Sequence, residues 1–566
     1  MEIEEKIKEA LAREIGFRKE GIVLETDSKF GDYAFPCFEL AKMQRRNPND
    51  LAKETVSKLA GKLKFLRKIE AINGFVNFFV DKKVFSDEVL NEVLEKKDNF
   101  GKRKENKKIM VEYETPNTNK PLHIGHLRNA AIGMSVSNIL EFNGNKVIRA
   151  DLFNDRGIHI CKAMLAYEKL TTQKKPKKGQ KPDNFVGSLY VLFNQKAKEE
   201  PELEKDIRYM LLKWEKGDKK TIELWKKIND WAISGIKETD KKFGSEFDVY
   251  FYESKFYKKA QKIIKNGLQK KVFVNKAEGV VAELEPEFPN KVVQRQDGTS
   301  VYISNDLFLT VHKFSEFKID KSIWVVGSEQ NLYFKQLFKI LENLGYKFID
   351  KCLHLSYGMI LLESGKMKSR EGNVVDADDF IADIENLAEQ ELKKRYKLDK
   401  SEMKKRKEAI ALSAIKYSLL KINPIKDLLF NPDEAVSFEG DSGPYIQYSY
   451  ARASSILAKA NNIKGKSKEK KNKASDYDIN EKEFEVIKRI SEFPKIAENA
   501  GKQLRPDLIA NYAFKLSQAF NDFYESCPVI NAEGNEREFR IKIVRAFVYV
   551  LGNCLKMMGI EALEKM

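Results

Sequence analysis

The 566-residue chain is expected to be an α/β protein in three parts. A central domain built on a parallel sheet follows an α+β module and precedes an all-helical domain. Three observations lead there. Residues 109–153 read strand, loop, helix, strand: apolar Ile109, Met110, Val111 and Tyr113, then helix-spaced Ile132, Val136, Ile139 and Leu140, then an apolar run over 146–153. One right-handed crossover between parallel strands has this pattern. Residues 73–80 alternate like a strand within a mostly helical opening stretch. From about residue 405 to the end the pattern is helical, with no strong strand signal.

The elements follow in order. A helix over 2–14 starts the chain; it is acidic and amphipathic, unlike a signal or transit peptide. Gly31-Asp32-Tyr33-Ala34-Phe35 leads into a helical pattern through 39–43, and with the strand at 73–80 completes a module over 1–82. A charged segment, 96–108, links it to the central domain, 108–390. The first helix of that domain ends at Asn143-Gly144, where glycine accepts the left-handed conformation. Beyond Phe153 the chain is helical and highly charged, an insertion over approximately 160–290. Its basic tract Lys174-Lys175-Pro176-Lys177-Lys178-Gly179 reads as a solvated loop. The sheet is expected to resume near Val292, with strands over 300–304 and 323–326. The helical domain spans 405–566, and the lysine-rich stretch 464–473 reads as a flexible loop between two of its helices.

Composition works mainly by exclusion. No apolar run approaches the roughly 20 residues that span a bilayer, so a soluble, cytoplasmic protein without a membrane partner is expected. The five cysteines are scattered with no Cys-x-x-Cys pair, so neither a disulfide framework nor a structural zinc is expected. Lys plus Arg exceed Asp plus Glu by 102 − 85 = 17. That suits a polyanionic partner, and equally the solvated surface of any protein from a lysine-rich proteome.

Chemistry concentrates at Pro121-Leu122-His123-Ile124-Gly125-His126-Leu127, the loop between the first strand and its helix. Loops at that edge of a doubly wound sheet bind ligands. Two imidazoles at the mouth of a helix can meet phosphate along with free backbone N–H groups, and the chain has only five histidines. A second cationic loop, Gly365-Lys366-Met367-Lys368-Ser369-Arg370, begins its lysines 366 − 123 = 243 residues later, after an apolar run. Such charges neutralise phosphates during displacement. In so lysine-rich a chain the four letters alone say little; their position says more.

The two motifs together resemble the signatures of class I aminoacyl-tRNA synthetases. The stretch Val111-Glu112-Tyr113-Glu114-Thr115-Pro116-Asn117-Thr118-Asn119-Lys120-Pro121 narrows the resemblance to the arginyl-tRNA synthetases. Asn154-Asp155-Arg156-Gly157, the Asp297-Gly298-Thr299 stretch running to Asp306, Gly443-Pro444-Tyr445-Ile446-Gln447-Tyr448 and Gly74-Phe75-Val76-Asn77-Phe78 agree with it. The resemblance implies a Rossmann-like catalytic domain with a helical insertion, an N-terminal module that binds the tRNA elbow, and a helical anticodon-binding bundle. It implies arginine, Mg·ATP and an arginine tRNA as substrates, and a monomer. His123 and His126 would stabilise the phosphates, Gly125 would let adenine lie close to the backbone, and Met359 and Lys366 would help bind ATP. Lys120, Lys366 and Lys368 would supply positive charge. Glu112 and Asp306 would hold the guanidinium, Tyr302 would pack beside or hydrogen-bond it, and Asn117 and Gln330 would grip the α-amino group. Tyr302 and Asp306, four apart, would share one face of a turn or helix start. Phe75 and Asn77 would meet the tRNA elbow; Tyr448, Arg452 and Met566 would meet the anticodon loop.

The sequence departs from the pattern in two places. Ser369 stands where the family's second signature lysine falls, leaving Lys120 or Lys368 to compensate, and Tyr333 stands where many relatives carry histidine. Tyr512, Phe520, Phe523 and Tyr524, at helical spacing, read as bundle core rather than RNA contacts. Another class I synthetase, or a catalytically silent tRNA-binding paralogue, remains an alternative at this stage.

Overall fold

The computed structural model describes the chain except Met1 and residues 29–30, 300, 363–374 and 465–476. Five strands, all paired in parallel, make the central sheet. In space they run Cys352–Tyr357, Lys321–Gly327, Lys108–Glu112, Lys146–Phe153, Val249–Tyr252. Chain order reverses between Lys108–Glu112 and Lys321–Gly327, and the crevice beyond the carboxyl ends of such strands is where doubly wound sheets bind ligands. Met110 and Val111, pointing to opposite faces, are both fully buried, as expected of a sheet covered on both sides.

The first crossover matches the sequence expectation. Helix Ile124–Phe142 is buried almost all round, because it lies between the sheet and the C-terminal helices. Asn143 ties its end to the bundle through a 3.0 Å hydrogen bond to the Ala497 carbonyl. At Gly144 φ is +88°, and a Cβ there would lie 2.3 Å from the Arg103 carbonyl oxygen, so turn and close approach both require glycine.

Three expectations change. Residues 301–304 are not a strand: helix Tyr302–Phe317 begins there. Val, Tyr and Ile over so short a run fit either period. The helix prevails because Ser304 Oγ accepts the Val301 N–H at 3.1 Å, while Ile303 and Leu307 bury one face. Nor does the central sheet resume at Val292. Lys291–Arg295 belongs to a separate antiparallel sheet with Gly279–Ala282 and Phe273–Lys276. The central sheet instead takes Val249–Tyr252 from within the stretch 160–290, a strand too short to show a period. Finally, Leu428–Phe430, in the region expected to be wholly helical, pairs in parallel with Ile360–Leu362.

The opening residues form a four-stranded antiparallel sheet in the order Glu25–Ser28, Gly31–Pro36, Phe75–Val80, Leu66–Ile72. The last third is a bundle of helices Lys400–Leu420, Gly443–Lys464, Glu481–Gln503, Pro506–Ser526 and Gly534–Met557. The loop expected over 464–473 lies almost wholly outside the described residues. All five cysteines are free thiols. Among the described residues no helix is long and apolar enough to cross a membrane.

Candidate active site

A cleft of about 890 Å³ opens at the carboxyl edge of the sheet, and Glu112, Asn117, Lys120, Tyr302, Asp306 and Gln330 all line it. They arrive from separate places in the chain. Glu112 ends the first strand, and Asn117 and Lys120 follow in its loop. Tyr302 and Asp306 lie one turn apart on helix Tyr302–Phe317, and Gln330 closes the short turn after Lys321–Gly327.

The two acids are held differently. Glu112 is 3 % exposed, and its Oε2 lies 2.6 Å from Lys313 Nζ. That lysine is fully buried, its ammonium 4.6 Å from the centre of the Trp324 ring. Asp306 Oδ2 accepts the Tyr333 hydroxyl. Burial pushes the Asp306 carboxyl up to about 6, against the pull of the Tyr333 bond. The position left open in the sequence, Tyr333, is thus a partner of an expected guanidinium ligand. Nothing in the sequence marks Lys313: its spacing of seven from Asp306 puts it on the same helix face, but one more lysine in this chain carries no contrast.

The loop after Glu112 is wound tightly. Glu114 and Thr115 have φ of +74° and +47°, a left-handed conformation that costs non-glycine residues on the order of 1–3 kcal/mol each. Asn129 Oδ1 accepts the Glu114 N–H at 2.6 Å, Asp151 Oδ1 accepts the Thr115 N–H at 3.0 Å, and the Asn154 N–H donates to the Pro116 carbonyl at 3.0 Å. Behind the loop the buried carboxyls of Glu114, Asp151 and Asp240 face one another. Burial, reinforced by this mutual repulsion, raises Glu114 and Asp151 well above the usual carboxylate range.

The histidines build the start of helix Ile124–Phe142. His123 Nδ1 accepts the Gly125 N–H at 3.2 Å, and His126 Nδ1 accepts the His123 N–H at 3.1 Å. A ring nitrogen that accepts carries no proton, so each neutral ring bears its proton on Nε2. Burial, then the charge of Lys120, pushes His123 down to about 4. Burial, then His123 and Lys120, pushes His126 well below the usual range. Each ring can therefore offer a ligand an Nε2–H donor beside the helix N-terminus. A Cβ at Gly125 would meet the His123 ring at 3.0 Å, so glycine here lets that ring fold back over the helix start.

Met359, half exposed, precedes strand Ile360–Leu362. Lys366, Lys368 and Ser369 lie outside the described residues. The chain after them returns to the histidine loop: the Ile124 N–H donates to the Val375 carbonyl at 3.1 Å, and the Ala377 N–H to the Leu122 carbonyl at 3.0 Å. Among the described residues no group of three or more His, Cys, Asp or Glu side chains is disposed to hold a metal ion.

Of the residues expected to meet RNA, Phe75 is partly exposed and packs edge-on against Phe38 with ring centres 5.1 Å apart. Phe38 is itself 47 % exposed, and its place beside Phe75 was not legible in the sequence. Asn77, expected beside Phe75 at the tRNA elbow, is 1 % exposed, on the strand paired with Gly31–Pro36. Arg452 lies between two rings, 4.7 Å from the centre of Tyr448 and 4.8 Å from Tyr524, with Nη1 donating to Asn521 at 2.7 Å. Tyr512, Phe520 and Phe523 are buried as expected, whereas Tyr524 is exposed and flanks Arg452 instead of joining the core. Met566 packs partly buried against the bundle.

Comparison with known proteins agrees along the whole chain. Residues 1–80 match the arginyl tRNA synthetase N-terminal domain, 89–432 the catalytic domain of class I (R) tRNA synthetases, and 446–566 the DALR anticodon binding domain. An arginine–tRNA ligase of Treponema denticola is 41 % identical over 97 % of this chain and 95 % of its own length. One of Borrelia duttonii is 39 % identical over 100 % and 98 %. The Thermus thermophilus arginyl-tRNA synthetase structure superposes with a TM-score of 0.81 at 25 % identity, covering 99 % of each chain. With three domain matches in order and full-length relatives at this identity, the chain belongs to the arginyl-tRNA synthetase family of class I aminoacyl-tRNA synthetases.

Proposed function

We propose that this family member activates arginine in the cleft between Glu112 and Asp306 and transfers it to the 3′ end of an arginine tRNA. The observation that carries the reading is the pair of acids lining one cavity, each with one oxygen engaged. Lys313 takes Oε2 of Glu112 and Tyr333 takes Oδ2 of Asp306, which leaves Oε1 and Oδ1 for the substrate. Glu112 and Asp306 with Lys313 carry one net negative charge among them, which suits one permanently charged guanidinium. Tyr302 packs beside it, and Asn117 and Gln330 hold the α-amino group.

The arginine carboxylate attacks the α-phosphate of Mg·ATP, the bond to the β-phosphate breaks, and pyrophosphate leaves. The terminal adenosine 2′-hydroxyl of the tRNA then attacks the activated carbonyl and AMP leaves. Mg²⁺ arrives on the phosphates as part of the substrate. His123 and His126 donate from Nε2 to the phosphates, Gly125 and Met359 flank adenine, and Lys120, Lys366 and Lys368 balance the moving charge. Positioning and electrostatics carry the rate.

Residues 1–82 take the tRNA elbow, with Phe75 as a contact; 108–390 is the catalytic domain; 405–566 takes the anticodon loop through Tyr448, Arg452 and Met566. By the same family resemblance the enzyme works as a cytoplasmic monomer. ATP–pyrophosphate exchange with each amino acid, with and without arginine tRNA, tests the reading. Exchange is expected with arginine alone among the amino acids; none with arginine and tRNA both present would overturn it.

A further inference from the structure

Two residues beyond the second signature histidine, Arg128 is fully buried. Its hydrogen bonds among the described residues go to main-chain carbonyls: Met359, Lys426 at 2.6 Å and Pro424 at 3.3 Å. A buried guanidinium is costly to desolvate, and an apolar side chain of similar volume is often as stable or more so. Packing alone therefore does not account for arginine here. What an apolar residue lacks, and lysine has only as a point charge, is a rigid planar fork that reaches carbonyls of two segments at once.

The segment it grips is Met359, and the turn 424–427 grips the same residue from outside. The Gly358 N–H donates to the Pro424 carbonyl at 2.9 Å, the Met359 N–H to Asp427 Oδ1 at 2.7 Å, and the Leu428 N–H to the Met359 carbonyl at 2.9 Å. A Cβ on Gly358 would lie 2.6 Å from Asp427 Oδ1, so the approach has no slack. The Met359 carbonyl thus takes two donors, one from the start of strand Leu428–Phe430 and one from the signature helix. The next residue along that helix, Asn129, is buried and donates to the Tyr357 hydroxyl at 3.1 Å. Asn129 accepts the Glu114 N–H at 2.6 Å and donates to the Val325 carbonyl at 2.8 Å, bracing the loop and strand beside the arginine cavity.

We propose that Arg128 is a positioning residue for ATP: it fixes Met359 and the strand behind it against the signature helix. This rests on reading Met359 as part of the ATP site. The test is steady-state pyrophosphate exchange by the full-length enzyme, reading KM for each substrate, because KM does not change with the fraction of protein that is active. Arg128→Lys is expected to raise KM for ATP by at least about tenfold and leave KM for arginine within about twofold. Asp427→Ala, at an exposed position where folding is not in question, removes the Met359 N–H partner and is expected to raise KM for ATP about threefold with the same selectivity. An unchanged KM for ATP in Asp427→Ala, or parallel rises for both substrates in either variant, would overturn the proposal. His123→Ala separates the two levels of the reading. If it keeps wild-type exchange, the ATP site itself is misassigned and the proposal falls with it. If it loses exchange while Arg128→Lys and Asp427→Ala keep their KM for ATP, the proposal alone fails.

Discussion

The Lys313 ammonium lies 2.6 Å from the Glu112 carboxylate, and neither side chain is more than 4 % exposed. The arginine cavity thus holds a cation before its cationic substrate arrives. Removing one partner of such a pair strands the other, at a cost of about 3–5 kcal/mol. Lys313→Met is therefore expected to lower Tm by several degrees. Saturating arginine should restore more of that loss than it adds to wild type, since the guanidinium supplies the missing charge. Equal arginine-induced shifts in the two proteins would mean that the pair does not face the substrate.

Burial holds the Asp306 carboxyl above the usual carboxylate range, at about 6. Guanidinium needs the carboxylate, and a proton competes for it. Arginine affinity is therefore fully present above that pH and is lost as pH falls through it, with KM for arginine rising up to tenfold per unit below. The Tyr333 hydroxyl lowers this pKa, so Tyr333→Phe should move the rise in KM to higher pH. KM for arginine measured across the acid range reads both effects. A limb that stays in place in Tyr333→Phe would assign it to another group.

Lys120 lines the cleft three residues before His123, its ammonium pKa lowered by burial. If it stands in for the cation missing at Ser369, Lys120→Ala should slow adenylate formation at least about tenfold, roughly 1.4 kcal/mol of barrier. A single-turnover rate equal to wild type would leave that work to Lys368.

Arg452 between Tyr448 and Tyr524 offers a stacking platform for an unpaired base, an interaction worth about 1–3 kcal/mol. Tyr524→Ala should raise KM for tRNA at least about fivefold at constant KM for ATP. An unaltered KM for tRNA would return Tyr524 to a surface role.

How much of this was legible depended on distance along the chain. The crossover through helix Ile124–Phe142 was readable because strand, histidine loop, helix and glycine stop are contiguous. The roles of Glu112, Asn117 and Lys120 came only through resemblance to a family, although these residues stand in that same stretch. So did those of Tyr302, Asp306 and Gln330, since nothing local separates a pocket side chain from a core or surface one. Lys313 and Arg128 were illegible. Each owes its role to partners roughly two to three hundred residues away, and charge in a lysine-rich chain gives no hint of burial. Asn77 shows the converse: the resemblance put it among the RNA contacts, and nothing local in the sequence marks a side chain only 1 % exposed.

The most direct test compares wild type with Asp306→Ala in arginine-dependent pyrophosphate exchange with arginine tRNA present. KM for arginine is expected to rise at least about tenfold, roughly 1.4 kcal/mol, while KM for ATP stays where it was. Equal rises for arginine and ATP would contradict the assignment of Asp306, and with it the account of how this cleft selects its amino acid.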